Sequence, residues 1–115
     1  MADLVNPYDK AQELARAITG HEVYKRYVAA KGGVENNPEH QEMIVKIRNQ
    51  QMEVNRAQIL GQEADADVIF EISRLFAEAS QIKEMEEFFT AESSFIQMFN
   101  DVLEIIQKAV EAGFK

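Results

Sequence analysis

The chain has 115 residues, no cysteine and a formal net charge of −8. This length suits one domain with one hydrophobic core, here residues 1–115. The absence of cysteine excludes disulfides, catalytic thiolates and Cys-ligated metal centres, and it agrees with a reducing compartment. No apolar run reaches the length of a membrane span and the first residues lack the pattern of a signal peptide, so we expect a cytoplasmic protein without a membrane segment.

The charge is unevenly distributed along the chain. Residues 1–60 carry eight acidic and eight basic side chains, whereas residues 61–115 carry twelve acidic and four basic ones. The C-terminal half should therefore repel phosphates and anionic lipids, which disfavours direct binding of nucleic acid. Its acidic side chains leave two interpretations open: a solvated face that gives solubility, or a docking surface for a basic partner.

Two Asn-Pro pairs mark the beginnings of helices. At Asn6-Pro7 and at Asn37-Pro38, the asparagine can cap a helix and the proline can occupy its first position. The first pair predicts a helix that begins at Pro7 and that Gly20 ends. A second helix is predicted from about His21 to Lys31, where the Gly32-Gly33 pair should break it.

The middle of the chain predicts a helical hairpin. A long third helix is expected from Pro38 to about Leu60, with Gly61 at its end. Only Gly61-Gln62-Glu63-Ala64 separates it from a fourth helix that begins near Asp65, and so short a connection requires an antiparallel return. Ser80-Gln81 marks the break before the last helix. With no β pattern, the sequence predicts an all-α bundle of about five helices.

The last helix, from Glu84 to Ala112, has a long apolar side. At 1.5 Å per residue this segment is about 40 Å long, more than a small monomeric domain easily covers. Its apolar residues recur at intervals of three and four: Met85, Phe88, Phe89, Phe95, Ile96, Phe99, Val102, Leu103, Ile106, Val110 and Phe114. We therefore expect a homodimer or a larger oligomer. The predicted interface joins the last and third helices through Phe88, Phe89, Glu92, Phe95, Phe99, Val102, Ile106, Ile47, Gln51 and Val54.

Glu92 interrupts this apolar side, where an unpaired carboxylate would be costly. Two interpretations stay open. The side chain can reach the rim or pair with a nearby Arg or Gln. Alternatively, it belongs to a polar layer, with Gln51 or Arg48, that fixes helix register or dimer geometry.

No motif for catalysis or metal binding is complete. His21-Glu22 lacks the second histidine of the zinc-protease motif, because position 25 is Lys. The acidic alternation that begins at Glu63 lacks the glycine and the last glutamate of a calcium-binding loop. The sequence therefore predicts a protein that is not an enzyme and binds no cofactor or metal. The alternative is a helical bundle that binds a small molecule in a pocket lined by Glu92, Gln51, Tyr24 or Tyr27.

Four segments follow one another in a characteristic order. They are Asn6-Pro7-Tyr8-Asp9-Lys10-Ala11; Asn37-Pro38-Glu39-His40 with the later Ile47-Arg48-Asn49-Gln50-Gln51; Gly61-Gln62-Glu63; and Glu92 within Lys83–Val110. In this order and spacing, the chain resembles the YlbF/YmcA family of small bacterial helical proteins, including its YheA-like branch, over about residues 6–112.

The resemblance implies an all-helical, oligomerising regulator without enzyme activity in the bacterial cytoplasm. Characterised members act in a multi-protein complex that influences competence, sporulation and biofilm formation and is linked to mRNA processing by RNase Y. That complex is associated with iron–sulfur clusters, whose thiolate ligands a chain without cysteine cannot supply. Either other subunits hold the iron or this chain belongs to a branch outside the complex. The sequence identifies neither the partner, nor the oligomer size, nor the pathway.

Overall fold

A computed structural model describes residues 5–114, and over this range the chain forms five α-helices and no strand. They are α1 (Pro7–Thr19), α2 (Glu22–Glu35), α3 (Pro38–Ile59), α4 (Ala66–Ser80) and α5 (Lys83–Ala112). The predicted all-α class and the predicted number of helices are confirmed.

Asparagine caps fix the starts of α1 and α3. Asn6 Oδ1 accepts a hydrogen bond from the backbone N–H of Tyr8 at 2.8 Å. Asn37 Oδ1 accepts from the backbone N–H groups of Glu39 and His40 at 3.0 and 3.3 Å. The prolines that follow have no N–H to leave unsatisfied in the first turn. Both predicted helix starts are therefore confirmed.

Helix α2 does not end where the sequence predicted. It continues through Gly32 and Gly33 to Glu35, so the expected break at the glycine pair is wrong. A glycine inside a helix costs only about 1 kcal/mol relative to alanine, which weakens a helix without ending it. The added turn places Val34, 1% exposed, in the core, and this burial offsets part of that cost.

The described chain divides into two compact units. Unit 1 comprises the residues up to Ala29 and those from Ala91 onward, and unit 2 comprises Ala30–Thr90. Helices α2 and α5 contribute residues to both units. The assignment of the whole chain to one domain stays a prediction.

In unit 2, α3 and α4 pack against each other as a hairpin. The chain leaves α3 through Gly61, which has a φ of 73°. Gln62 N–H donates to the carbonyl of Ala57 and Gly61 N–H to that of Gln58, a pair of bonds that satisfies the last carbonyls of α3. The side chains buried in this unit are Val34, Ile44, Ile47, Leu75, Ala79, Met85 and Phe88.

In unit 1, the tyrosines of α2 pack on α5. The ring of Tyr27 stacks on that of Phe95 with 5.3 Å between centroids, and the ring of Tyr24 lies 5.7 Å from the same phenylalanine. Helix α1 is amphipathic but has no buried residue, and only Leu14 and Ile18 are half-buried. Helix α1 therefore contributes little to the core of this unit.

Candidate functional site

Two adjacent apolar stripes run along the C-terminal part of α5. The first includes Phe95, Met98 and Val102, which are half-buried, and its Phe95 packs under the tyrosines of α2. The second lies beside it and is 40–58% exposed along its length. We call this second set the α5 stripe, and it consists of Ile96, Phe99, Leu103, Ile106 and Val110.

The spacing of the α5 stripe is that of a helix that packs lengthwise on another helix. Its members are three and four residues apart in strict alternation from Ile96 to Val110. This heptad repeat keeps one narrow seam in line with a partner helix. The seam is about 21 Å long at 1.5 Å per residue. The arrangement suits knobs-into-holes packing against a further helix, since residues 5–114 leave the stripe 40–58% exposed.

Three charged residues of this segment, Asp101, Glu104 and Lys108, lie outside the stripe and have partners there. Lys108 pairs with Glu104 at 2.8 Å, and Gln97 donates a hydrogen bond to Asp101 at 2.9 Å. The stripe itself contains no charged residue. Along one edge it is flanked by two neutral amides, Asn100 and Gln107, which follow Ile96 and Leu103 by four residues. Association through the stripe would therefore bury apolar groups without desolvating a charge.

Glu92 is half-buried and has a defined partner in unit 1. The hydroxyl of Tyr27 donates a hydrogen bond to Glu92 Oε2 at 3.3 Å. This hydroxyl comes from α2, 65 residues away. The Arg or Gln partner expected from the sequence stays a prediction. The ring of the same tyrosine packs on Phe95, so α2 contributes both an apolar and a polar contact to this part of α5.

The predicted interface residues lie in different environments. Phe99 and Ile106 belong to the exposed α5 stripe. Ile47 and Phe88 are buried in the core of unit 2, where their side chains pack within this chain. The remaining predicted residues are half-buried, and they are Phe89, Glu92, Phe95, Val102, Gln51 and Val54. The interface proposal therefore rests on the two exposed members and their neighbours.

Three members of the α5 stripe were absent from the predicted interface: Ile96, Leu103 and Val110. The sequence does contain their signal, because two heptad series, one shifted by one residue from the other, run side by side in α5. Periodicity alone does not indicate which series the chain covers itself. The tyrosines of α2 make that choice, since they pack on the series that contains Phe95.

Helix α4 has a second exposed apolar face, in unit 2. Phe70 is 70% exposed, and Ile69 and Phe76 are 47% and 39% exposed. The small residues Ser73 and Ala77 lie between these larger side chains on the helix surface. The ring of Phe76 lies 4.6 Å from that of Phe89 on α5.

The charged side of α4 is centred on Arg74. Its guanidinium donates to both carboxylate oxygens of Glu71, at 3.1 and 2.6 Å, and to Glu78 at 2.7 Å. The hydrogen bonds from Arg74 hold the pKa of the Glu71 carboxyl below its ordinary value. The same contacts, led by the hydrogen bond with Glu71, raise the pKa of Arg74.

The described residues offer little that could hold a ligand. Across residues 5–114, no three His, Asp or Glu side chains are grouped as metal ligands. Helices in the same range are all too short or too polar to cross a bilayer. A groove of about 450 Å³ lies at the hairpin end of α3 and α4, and a smaller polar one lies between the same helices. Neither groove is lined by the residues of the predicted pocket, which are Glu92, Gln51, Tyr24 and Tyr27.

Solved structures with this fold are known. The chain superposes on a protein of unknown function (DUF964) from Bacillus stearothermophilus with a TM-score of 0.78 and 21% identity, covering 90% of this chain and 91% of the other. It also superposes on a chain from the crystal structure of Bacillus subtilis RicA in complex with RicF, with a TM-score of 0.58, 18% identity and coverage of 94% and 96%. At these identities the similarity establishes the fold.

Sequence relatives cover almost the whole chain. A UPF0342 protein of Caldicellulosiruptor saccharolyticus is 28% identical over 92% of this chain and 88% of its own length. A UPF0342 protein of Halothermothrix orenii is 30% identical over 92% and 90%. The family model described as "Control of competence regulator ComK, YlbF/YmcA" matches residues 8–111. The chain therefore belongs to the YlbF/YmcA family.

Proposed function

We propose that this protein is a non-enzymatic cytoplasmic regulator that acts by binding other protein chains through exposed helix faces, and that it self-associates through α5. The observation that carries the proposal is the α5 stripe, a continuous and uncharged seam that is 40–58% exposed in the isolated chain. Large exposed apolar patches on a folded protein mark sites of interaction with other proteins.

The comparisons support a role in regulation through protein contacts. The description of the family refers to control of the competence regulator ComK. The RicA neighbour has the same fold and was solved in complex with another protein, RicF. By family resemblance, the proposed pathway is control of competence, sporulation or biofilm formation through RNase Y-linked mRNA processing. The cysteine-free sequence means that any iron–sulfur cluster in such a complex would need ligands from other subunits.

A regulator that binds a different protein while it stays self-associated needs a second surface. The exposed face of α4 is the second surface that we assign to this function, because Phe70 is large, aromatic and 70% exposed. Aromatic side chains of this kind contribute strongly to protein interfaces.

The self-association is tested with one charge placed on the α5 stripe. Leu103→Glu should weaken it about 100-fold or more, because burying an unpaired carboxylate in an apolar interface costs about 3 kcal/mol or more. Sedimentation velocity from 1 to 100 µM, roughly the range of weak protein dimers, measures the effect. Ser93→Glu is the matched control, because it adds the same charge to an exposed position of α5 outside the stripe.

A wild-type protein that sediments as a monomer across this range would refute the self-association. Equal weakening by Leu103→Glu and Ser93→Glu would show that net charge, and not the stripe, controls it. The proposed pathway is tested in the source bacterium, where a gene that encodes the Leu103→Glu variant replaces the native gene. Competence frequency and the 5′ ends of transcripts cut by RNase Y are then measured, and unchanged values would remove the proposed pathway.

A further inference from the structure

The start of α2 is capped by a histidine side chain. Helix α2 begins at Glu22, and the backbone N–H of Val23 donates a hydrogen bond to His21 Nδ1 at 3.0 Å. The backbone carbonyl of His21 accepts from the N–H of Lys25 at 3.1 Å, as the residue that precedes the first turn of a helix does. His21 therefore occupies the capping position and supplies a ring nitrogen as the side-chain acceptor.

The chemistry of this cap differs from that of the other capped helices. The side chains of Asn6, Asn37 and Asp65 cap α1, α3 and α4. An amide gains no proton near neutral pH, and an aspartate carboxyl group ordinarily titrates near pH 3.9. An imidazole ordinarily changes its charge between about pH 5 and pH 8. Of these four caps, the one on α2 is therefore the cap that changes chemically close to neutral pH.

The bond from Val23 requires a neutral ring. A neutral imidazole that carries its proton on Nε2 has a lone pair on Nδ1, and this lone pair accepts the N–H of Val23. A protonated imidazole carries a hydrogen on both nitrogens, so that two donors would face each other. Its positive charge would also lie at the positive end of the helix dipole. The cap therefore stabilises the start of α2 at high pH and is lost as the pH falls.

The charged groups around His21 do not offset the charge that its ring would gain. On α2 these groups are Glu22, the next residue, and Lys25, one turn further on. On α1 the charged group is Arg16 in the last turn, close to the Ile18 carbonyl that accepts from the N–H of His21. Across residues 5–114, His21 forms no ion pair with a carboxylate. The exposed ring therefore has no anionic partner to hold it in place once it is charged.

The first turns of α2 carry the tyrosines that cover α5. Tyr24 belongs to the first turn, and its ring lies 5.7 Å from that of Phe95. Tyr27 belongs to the next turn, where it stacks on the same ring and donates to Glu92, the carboxylate of α5 that α2 engages. Loss of the cap should release Tyr24 and leave Tyr27 in place, because a helix unwinds from its end. Part of Phe95 would then become exposed beside the α5 stripe.

We propose that His21 is a pH-sensitive cap, whose protonation unwinds the first turn of α2 and withdraws Tyr24 from Phe95. The effect is a larger apolar surface on α5 in acid than at neutral pH. All the contacts involved lie within unit 1. The inference goes beyond the proposed function and does not depend on self-association.

Two substitutions of the cap give a direct test. His21→Asn keeps a side-chain acceptor that does not titrate in this range, and His21→Ala removes the acceptor at every pH. Solvent-exchange NMR measures the protection of the Val23 amide at about pH 8 and about pH 5, on either side of the range in which histidine titrates. Rates are divided by the intrinsic exchange rate at each pH. The ring-proton shifts of Tyr24, which lies beside the Phe95 ring, provide the second measurement.

At the higher pH, the wild type and His21→Asn should protect the Val23 amide about five-fold more than His21→Ala, a ratio that corresponds to the usual contribution of one cap. At the lower pH, the wild type should fall to the protection of His21→Ala, whereas His21→Asn should keep its own. The Tyr24 shifts of the wild type in acid should match those of His21→Ala.

His40→Gln is the matched control, because it removes the other histidine of the chain and leaves the cap of α2 intact. It should respond to pH as the wild type does. Equal protection of Val23 in the wild type at both pH values would overturn the inference. A loss of protection in acid that His21→Asn shares, or that His40→Gln abolishes, would overturn it too, because the titrating group would then not be His21.

Discussion

The hydroxyl of Tyr27 and the carboxylate of Glu92 form a partly buried hydrogen bond between α2 and α5. Tyr27→Phe keeps the ring that stacks on Phe95 and removes only the hydroxyl. We expect this change to lower the free energy of unfolding by about 1 kcal/mol, the usual net contribution of one hydrogen bond. Urea denaturation followed by circular dichroism measures the loss.

A double-mutant cycle with Glu92→Gln separates this bond from the other effects of each change. If the bond is the cause, Tyr27→Phe should cost less in the Glu92→Gln protein than in the wild type, because a neutral acceptor makes a weaker bond. An equal cost in both backgrounds would mean that the hydroxyl stabilises the protein through something other than Glu92.

Arg74 controls the ionisation of Glu71. Arg74→Met should bring the pKa of Glu71 back up toward its ordinary value, because the hydrogen bonds that lower it are removed. An NMR titration of the glutamate carboxyl carbons measures the shift. An unchanged Glu71 pKa in this variant would contradict the assignment of the shift to Arg74.

The sign of this shift defines its effect on stability. A carboxyl group whose pKa is lower in the folded than in the unfolded state stabilises the fold above its unfolded pKa, about 4.3 for glutamate. The contribution is lost as the pH falls through the lower pKa of the folded state. The stability difference between wild type and Arg74→Met should therefore be present at neutral pH and disappear in acid.

The glycine pair inside α2 is a weak point of that helix. A Cβ at Gly32 or Gly33 would meet no atom within 4 Å, and neither residue has a positive φ. Gly32→Ala and Gly33→Ala should each raise the free energy of unfolding by about 0.5–1 kcal/mol, because alanine loses less backbone entropy on folding. Denaturant unfolding measures the gain.

Gly61 provides the matched control for these substitutions. Its surroundings are equally open, but its φ of 73° lies in the left-handed region. Gly61→Ala should therefore destabilise the protein by about 1 kcal/mol or more. If all three alanine variants shifted stability in the same direction, backbone conformation would not be the cause.

The helices could be predicted from local chemistry alone. Asn-Pro pairs begin α1 and α3, and Gly61 marks the end of α3. The helical spacing of apolar residues identifies α5. The end of α2 could not be predicted in this way. Whether a glycine pair ends a helix depends on what the following residues bury, and the burial of Val34 is a property of the folded chain.

The candidate site was only partly predictable for the same reason. The sequence indicates that one side of α5 is apolar, but two heptad series share that side. Only the packing of Tyr24 and Tyr27 on Phe95 shows which series the chain covers and which it leaves exposed. The hydrogen bond from Tyr27 to Glu92 also joins residues that are distant in sequence, so no local pattern could reveal it.

For the molecule as a whole, an uncharged seam on a strongly acidic protein determines how the affinity of the proposed dimer depends on salt and temperature. Adding salt screens the long-range repulsion between two anions and breaks no ion pair across the seam, so ionic strength should tighten the dimer. Cooling should loosen it, because the driving force is the release of water from apolar side chains. A dimer of this kind would be preserved by the salt content of a cell and lost in cold, dilute buffer.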